Sequence, residues 1–166
     1  MAQTKLGDLT VNTSGELPAV GSKLPDFTLT GTDLADFNSS VFAGKKLVIN
    51  IYPSIDTGVC SASVREFNKR AASLDGTSIL CVSRDLPAAL KRFCGAEGIE
   101  AVVPASDFRH LGFAKSFGVE MIDGKMRGMF ARAVVVVGAD GVVKYTEMVP
   151  AVGQEPNYDA AIAALQ

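Results

Sequence analysis

Leu47-Val48-Ile49-Asn50-Ile51-Tyr52-Pro53-Ser54-Ile55-Asp56-Thr57-Gly58-Val59-Cys60 is the stretch on which the fold turns. Its first half, Leu47 to Pro53, is an apolar, β-favouring run of strand length that follows the turn signal Gly44-Lys45-Lys46. Such a run fits a central strand buried on both faces. Pro53 suits the end of it, because proline has no N–H for a ladder. Beyond Gly58 the period changes. Val59, Ser63, Phe67 and Arg70/Ala71 share one face, while Arg65, Glu66 and Lys69 take wet positions. That pattern predicts a helix from near Gly58 to about Leu74. Cys60 then stands in or near the first turn of a helix that has just left a buried strand.

Outward from this turn, strands and helices alternate. Thr77–Ser83 reads as a second buried strand, and residues 101–106 as a third. Pro87 suits the first turn of a short helix between them, with Gly95 as its C-terminal stop. Residues 109–118 read as a helix closed by Gly118, with His110 near its start. Residues 131–137 and 141–149 are β runs joined by Gly138-Ala139-Asp140-Gly141, a hairpin. Asn157 is placed to cap a final helix. Phe27–Thr30 predicts a short strand. Gly7-Asp8, Ser14-Gly15 and Gly21, around Leu6, Leu9 and Val11, predict a small hairpin over residues 1–15 and a loop after it. The order predicts an α/β protein with a mixed central sheet flanked by helices. It is the order of a thioredoxin-like fold with an extra N-terminal β-hairpin, in one domain spanning 1–166.

Composition bounds the function. With 166 residues, 48% of them hydrophobic, the chain can bury one sizeable core without staples. Sixteen basic against 18 acidic side chains leave a formal charge of -2. That balance argues against a nucleic acid or an anionic membrane as partner. The opening MAQTKLGDLTVNTSGELP has no secretory-type apolar stretch. The longest apolar runs are strand-sized, whereas a membrane helix needs about 20 residues. The expectation is a cytoplasmic protein with no stable membrane association. Cys60, Cys81 and Cys94 form no C-x-x-C, and His110 is the single histidine, so neither a zinc site nor any cofactor is expected.

The strand-to-helix turn suits nucleophilic chemistry. Unpaired N–H groups and the positive end of the helix dipole favour negative charge at a helix start. Thiolate is the reactive form of cysteine. A free thiol is only about 3% ionised at pH 7, so full ionisation gains about thirtyfold and no more. Part of that gain is cancelled by lower nucleophilicity. Any large rate must come from orienting the other reactant and stabilising the departing charge. Thr57, three residues before Cys60, can turn its hydroxyl into the same pocket. Pro53 offers no N–H and can shield the sulfur from water. Arg132 opens a later buried strand among apolar neighbours, where a cation needs a partner.

Pro53-x-x-x-Thr57-x-x-Cys60 resembles the complete active-site motif of the peroxiredoxins. The run Pro53–Cys60 with Arg65, Phe67 and Asn68 is similar to the bacterial thiol peroxidase subfamily. So are residues 92–98, Ala131-Arg132-Ala133-Val134, and residues 155–161. The likeness spans essentially the whole chain. It implies that Cys60 attacks the peroxide, that Thr57 and Arg132 hold thiolate and peroxide, and that Pro53 shields the site. It implies a resolving cysteine on the next helix, the place of Cys94, and an intrachain Cys60–Cys94 disulfide. It also implies a homodimer, thioredoxin as reductant, and hydrogen peroxide and alkyl hydroperoxides as substrates.

Plainer readings stand beside these. Cys60 alone would pass for a small buried hydrophobe. Thr57 could serve only as an N-cap, with Ser54 and Asp56 as equals, and Arg132 as a structural ion-pair residue. Cys81 reads as core, His110 as a helix-start residue, and Met121, Met126 and Met129 as packing or loop residues, although Met129-Phe130 could line an apolar substrate pocket. Because both cysteines lie inside helical patterns, reaching each other requires terminal helical turns to open. A redox sensor using the same cysteine pair is the alternative from another class. A peroxidase resolved by a small external thiol is a third.

Overall fold

In a computed structural model describing residues 1–166, nine strands and four α-helices follow one another along the chain. They are β1 (Gln3–Leu6), β2 (Leu9–Asn12), β3 (Thr28–Gly31), β4 (Asp36–Asn38), β5 (Lys46–Ile51), α1 (Gly58–Ala71), β6 (Thr77–Ser83), α2 (Pro87–Glu97), β7 (Val103–Ser106), α3 (Gly112–Phe117), β8 (Ala133–Val137), β9 (Val143–Met148) and α4 (Tyr158–Ala163). Seven strands form one sheet in the order β4-β3-β7-β6-β5-β8-β9. β5, β6 and β7 run parallel, as crossover helices require, β8 is antiparallel to β5, and β9 is antiparallel to β8. The β1–β2 hairpin is a separate two-stranded sheet.

Strand alternation divides the core into two layers. Leu47, Ile49 and Ile51 of β5 face Phe113 and Phe117 of α3. Val48 faces the other way, in a layer with Val64 and Phe67 of α1, Leu90 and Phe93 of α2, and Ala161 of α4. Cys60 belongs to this second layer. A third, smaller cluster gathers Val11 of the hairpin with Met121, Ala131 and Val152, and Met126 and Met129 pack against it. No helix is long and apolar enough to cross a membrane.

The architecture follows the expected mixed sheet and N-terminal hairpin, with local corrections. α1 ends at Ala71, before the anticipated Leu74. Its buried face is Cys60, Ser63, Val64 and Phe67, with Val59 only partly covered, so the helix is turned by about one residue from the expected face. α2 runs through Gly95, and its stop is Gly98, which takes the left-handed conformation (φ 65°) that glycine tolerates best. α3 starts at Gly112, so His110 lies outside it, with Nε2 2.8 Å from Asp36. β4 and a single 3₁₀ turn over Ser39–Phe42 had no distinct signal, being short and mostly polar.

Candidate active site

Tyr52 and Pro53 continue from β5 and are buried. The loop that follows is gripped from β6. The Asp85 carboxylate accepts hydrogen bonds from Ser54 Oγ (2.8 Å), the Ile55 N–H (2.7 Å) and Ser83 Oγ (2.6 Å). Charge-assisted bonds of this length are strong and hold geometry. The grip sets where α1 begins. Thr57 occupies the N-cap position, but its side chain caps nothing: Oγ1 donates to the Ser54 carbonyl at 3.1 Å. The first backbone bond of the helix runs from Ser61 N–H to the Thr57 carbonyl. The N–H groups of Gly58, Val59 and Cys60 precede it and are orphans of the helix start.

Cys60 is fully buried in this first turn. Ser63 Oγ donates to the Cys60 carbonyl (2.8 Å), and Asn50 Nδ2 of β5 donates to Ser63 Oγ (3.2 Å). The turn is therefore tied to the sheet beneath it. From the other side comes Arg132, immediately before β8 and 1% exposed. Its Nη2 lies 3.2 Å from Cys60 Sγ. Nη2 and Nε also donate to the Val152 carbonyl at 2.9 and 3.1 Å. The remaining nitrogen, Nη1, is buried and has no partner. Among the ion pairs of the chain, none includes Arg132. A buried guanidinium without a carboxylate is costly unless another negative group meets it. The atom it touches that can carry that charge is the Cys60 sulfur.

Cys94 sits in the last turn of α2, half-buried, and burial pushes its thiol upward. Two ion pairs brace α2 around it. Arg92 meets Asp56 of the loop that leads into α1 at 2.9 Å. Glu97 takes two bonds from Arg65 of α1, at 2.9 and 3.1 Å, and Arg65 also lies over the Phe93 ring. All three cysteines are unpaired. Cys81, fully buried in β6, is pushed up to about 12 by burial, against an opposing hydrogen bond from Asn50. The largest cleft, about 550 Å³ and lined by residues such as Asp26, Ser39, His110 and Ser116, includes neither Cys60 nor Arg132.

With a cysteine at a strand-to-helix turn and an arginine on its sulfur, comparison with known proteins is informative. The redoxin family model matches residues 19–162. The chain belongs to the redoxin family. It is 59% identical over 165 residues to the thiol peroxidase of Mycobacterium tuberculosis, covering 99% of each chain. It is 51% identical to the thiol peroxidase of Corynebacterium glutamicum, with the same coverage. Among solved structures, a peroxiredoxin-like protein from Aquifex aeolicus superposes with a TM-score of 0.91 at 35% identity, covering 97% of this chain and 94% of that one.

Within this redoxin, Cys60 and Arg132 meet although 72 residues separate them. Cys94 stays on its own helix, and Thr57 turns its hydroxyl hydrogen to the backbone and not to sulfur. Phe130 is fully buried, with the Arg84 guanidinium 5.2 Å from its ring. Sequence reasoning missed Asp85, Asn50, Ser63 and the Arg65–Glu97 and Arg92–Asp56 pairs. Asn50 carried a signal, as the one amide inside an apolar strand. Asp85 carried none, since its partners Ser54 and Ile55 lie some 30 residues away.

Proposed function

We propose that the chain is a thiol peroxidase of the peroxiredoxin kind, reducing hydrogen peroxide and organic hydroperoxides at Cys60. The observation that carries this reading is the buried Arg132 guanidinium, with one nitrogen on the Cys60 sulfur and another, Nη1, unpartnered beside it. A pair of donors of that kind suits a thiolate and the oxygen it attacks at once.

The Cys60 thiolate attacks the terminal oxygen of ROOH. An S–O bond forms and the O–O bond breaks, and RO⁻ takes a proton and leaves as ROH. Cys60 is left as a sulfenic acid. Arg132 Nη1 is placed to donate to the peroxide and to the oxygen that gains charge. Thr57 Oγ1, its hydrogen committed to Ser54, is free to accept from the peroxide O–H. Buried Pro53 keeps water from the sulfur. Cys94 then attacks the sulfenic sulfur, a Cys60–Cys94 disulfide forms, and water leaves. Each cysteine lies in a helix end, so the first turn of α1 or the last turn of α2 opens for this step. A dithiol protein, thioredoxin by likeness to the family, restores both thiols by exchange. A reducing cytoplasm and a homodimer complete the reading.

NADPH consumption with thioredoxin, thioredoxin reductase and cumene hydroperoxide tests it, comparing the wild type with Cys60→Ser. Sustained turnover lost in the variant is the expected result. A single oxidation of Cys60 with no turnover, whatever dithiol donor is supplied, would overturn it.

A further inference from the structure

The N-terminal hairpin lies outside the seven-stranded sheet, yet its contacts converge on the active-site arginine. The Val152 carbonyl that receives both Nε and Nη2 of Arg132 belongs to the connection between β9 and α4. That connection is held from β1. Lys5 N–H donates to the Pro150 carbonyl (2.9 Å), and Val152 N–H donates to the Lys5 carbonyl (2.8 Å). The buried Thr4 hydroxyl donates to the Val149 carbonyl at 2.9 Å. From the same residue, Val149 N–H donates to the Arg132 carbonyl (2.9 Å), so the connection touches the arginine at both backbone and side chain. Val11 of β2 packs in the same small cluster as Val152 and Ala131.

From this convergence we infer that the hairpin is a positioning element for Arg132, with Thr4 as the side chain that carries the effect. The inference rests on the proposed role of Arg132 at Cys60. A guanidinium anchored on a single carbonyl is only as well aimed as that carbonyl, and misplacing a catalytic group by about 1 Å costs rate steeply. Thr4 acts through the connection and touches neither sulfur nor substrate. Its hydroxyl fixes Val149, which with the two Lys5 bonds fixes the direction of the Val152 carbonyl and so the plane of the guanidinium.

The other arm of the same hairpin, just past β2, supplies a control. Thr13 is also fully buried, and its hydroxyl donates to the carbonyls of Ala2 (3.0 Å) and Gly15 (2.9 Å), with no bond to residues 149–152. Both Thr4→Val and Thr13→Val remove a buried hydroxyl at nearly constant volume. Only the first releases the connection that aims Arg132.

Stopped-flow oxidation of the reduced, full-length protein by hydrogen peroxide, with thermal unfolding on the same samples, tests this. Thr4→Val is expected to lower the second-order rate constant about three- to tenfold, the range one hydrogen bond commands. Thr4→Ser, which keeps the hydroxyl, is expected to recover most of that loss. Thr13→Val is expected to lower the melting temperature while keeping the rate within about twofold of wild type. A wild-type rate in Thr4→Val, or an equal loss in Thr13→Val, overturns the inference. Cys60→Ser and Arg132→Met, run beside these, separate the two readings. If either oxidises like wild type the proposed function itself falls; if both are inactive and Thr4→Val is unaffected, only the hairpin's role falls.

Discussion

Replacing Arg132 by methionine removes the guanidinium while roughly keeping the bulk of the side chain. The structure assigns this cation one contact with Cys60 Sγ at 3.2 Å, two bonds to the Val152 carbonyl and one unpartnered nitrogen. Two charges about 4 Å apart interact by about 4 kcal/mol at an effective dielectric of 20. Only the part that grows as the O–O bond breaks counts toward rate. Loss of a preorganised donor to a developing oxyanion costs about a hundred- to a thousandfold. Oxidation of Arg132→Met by hydrogen peroxide should be slower by that factor. Stability should change less than the rate does: methionine removes the cost of a buried charge but leaves the Val152 carbonyl without its two donors, a loss of about 1–3 kcal/mol. A protein that stays folded yet has lost its peroxide rate is therefore the expected outcome. Stopped-flow fluorescence and a denaturant titration on one preparation give both quantities. A folded variant slowed by less than about tenfold would refute the assignment of the guanidinium to the reaction.

Other perturbations follow from the same contacts. Asp85→Ala removes the acceptor for Ser54, Ile55 and Ser83, and should lower stability by about 2–3 kcal/mol and the peroxide rate by about tenfold; an unchanged rate in the folded variant would show that the loop holds itself. Glu97→Gln weakens the brace between α2 and α1, an exposed pair, so disulfide formation after oxidation should quicken by up to about fivefold, and a slower step in rapid-quench mass spectrometry would count against it. Burial pushes the Cys81 thiol up to about 12 from 9.0, so the folded state keeps a proton that the unfolded chain loses. Stability should then fall as pH rises above about 9, by about 1.4 kcal/mol per unit, until about pH 12. Cys81→Ala should flatten that fall in denaturant titrations, and an unaltered slope would rule the thiol out as its source.

How much of this was legible depends on how local each signal is. Cys60 and Pro53 could be placed from one contiguous run, because a strand ending in proline followed by a helical period defines the turn by itself. Arg132 was legible as a cation among apolar neighbours, although its distance from the sulfur was not. The stop of α2 was misassigned to Gly95 because two glycines stand three apart, and composition does not say which one takes positive φ; Gly98 does. The register of α1 shifted because Val59 and Cys60 are both small and apolar, and the choice between them is made by the sheet below. Asp85 and Thr4 were illegible for one reason: the partners that give each its role, Ser54 and Ile55 for Asp85 and Val149 for Thr4, lie far along the chain, and each looks like an ordinary polar residue until the fold closes.

The same separations order events during synthesis. The Thr4 hydroxyl and its acceptor are 145 residues apart, and Arg132 follows Cys60 by 72. A chain growing at about 5–20 residues per second therefore exposes Cys60 for several seconds before the arginine is made, and longer before residues 149–152 arrive to seat it. In that interval Cys60 stands at a nascent helix end without the guanidinium that meets its sulfur in the finished fold. A nucleophile completed only by the last strand and the first hairpin together is one that a ribosome-bound chain cannot spend early.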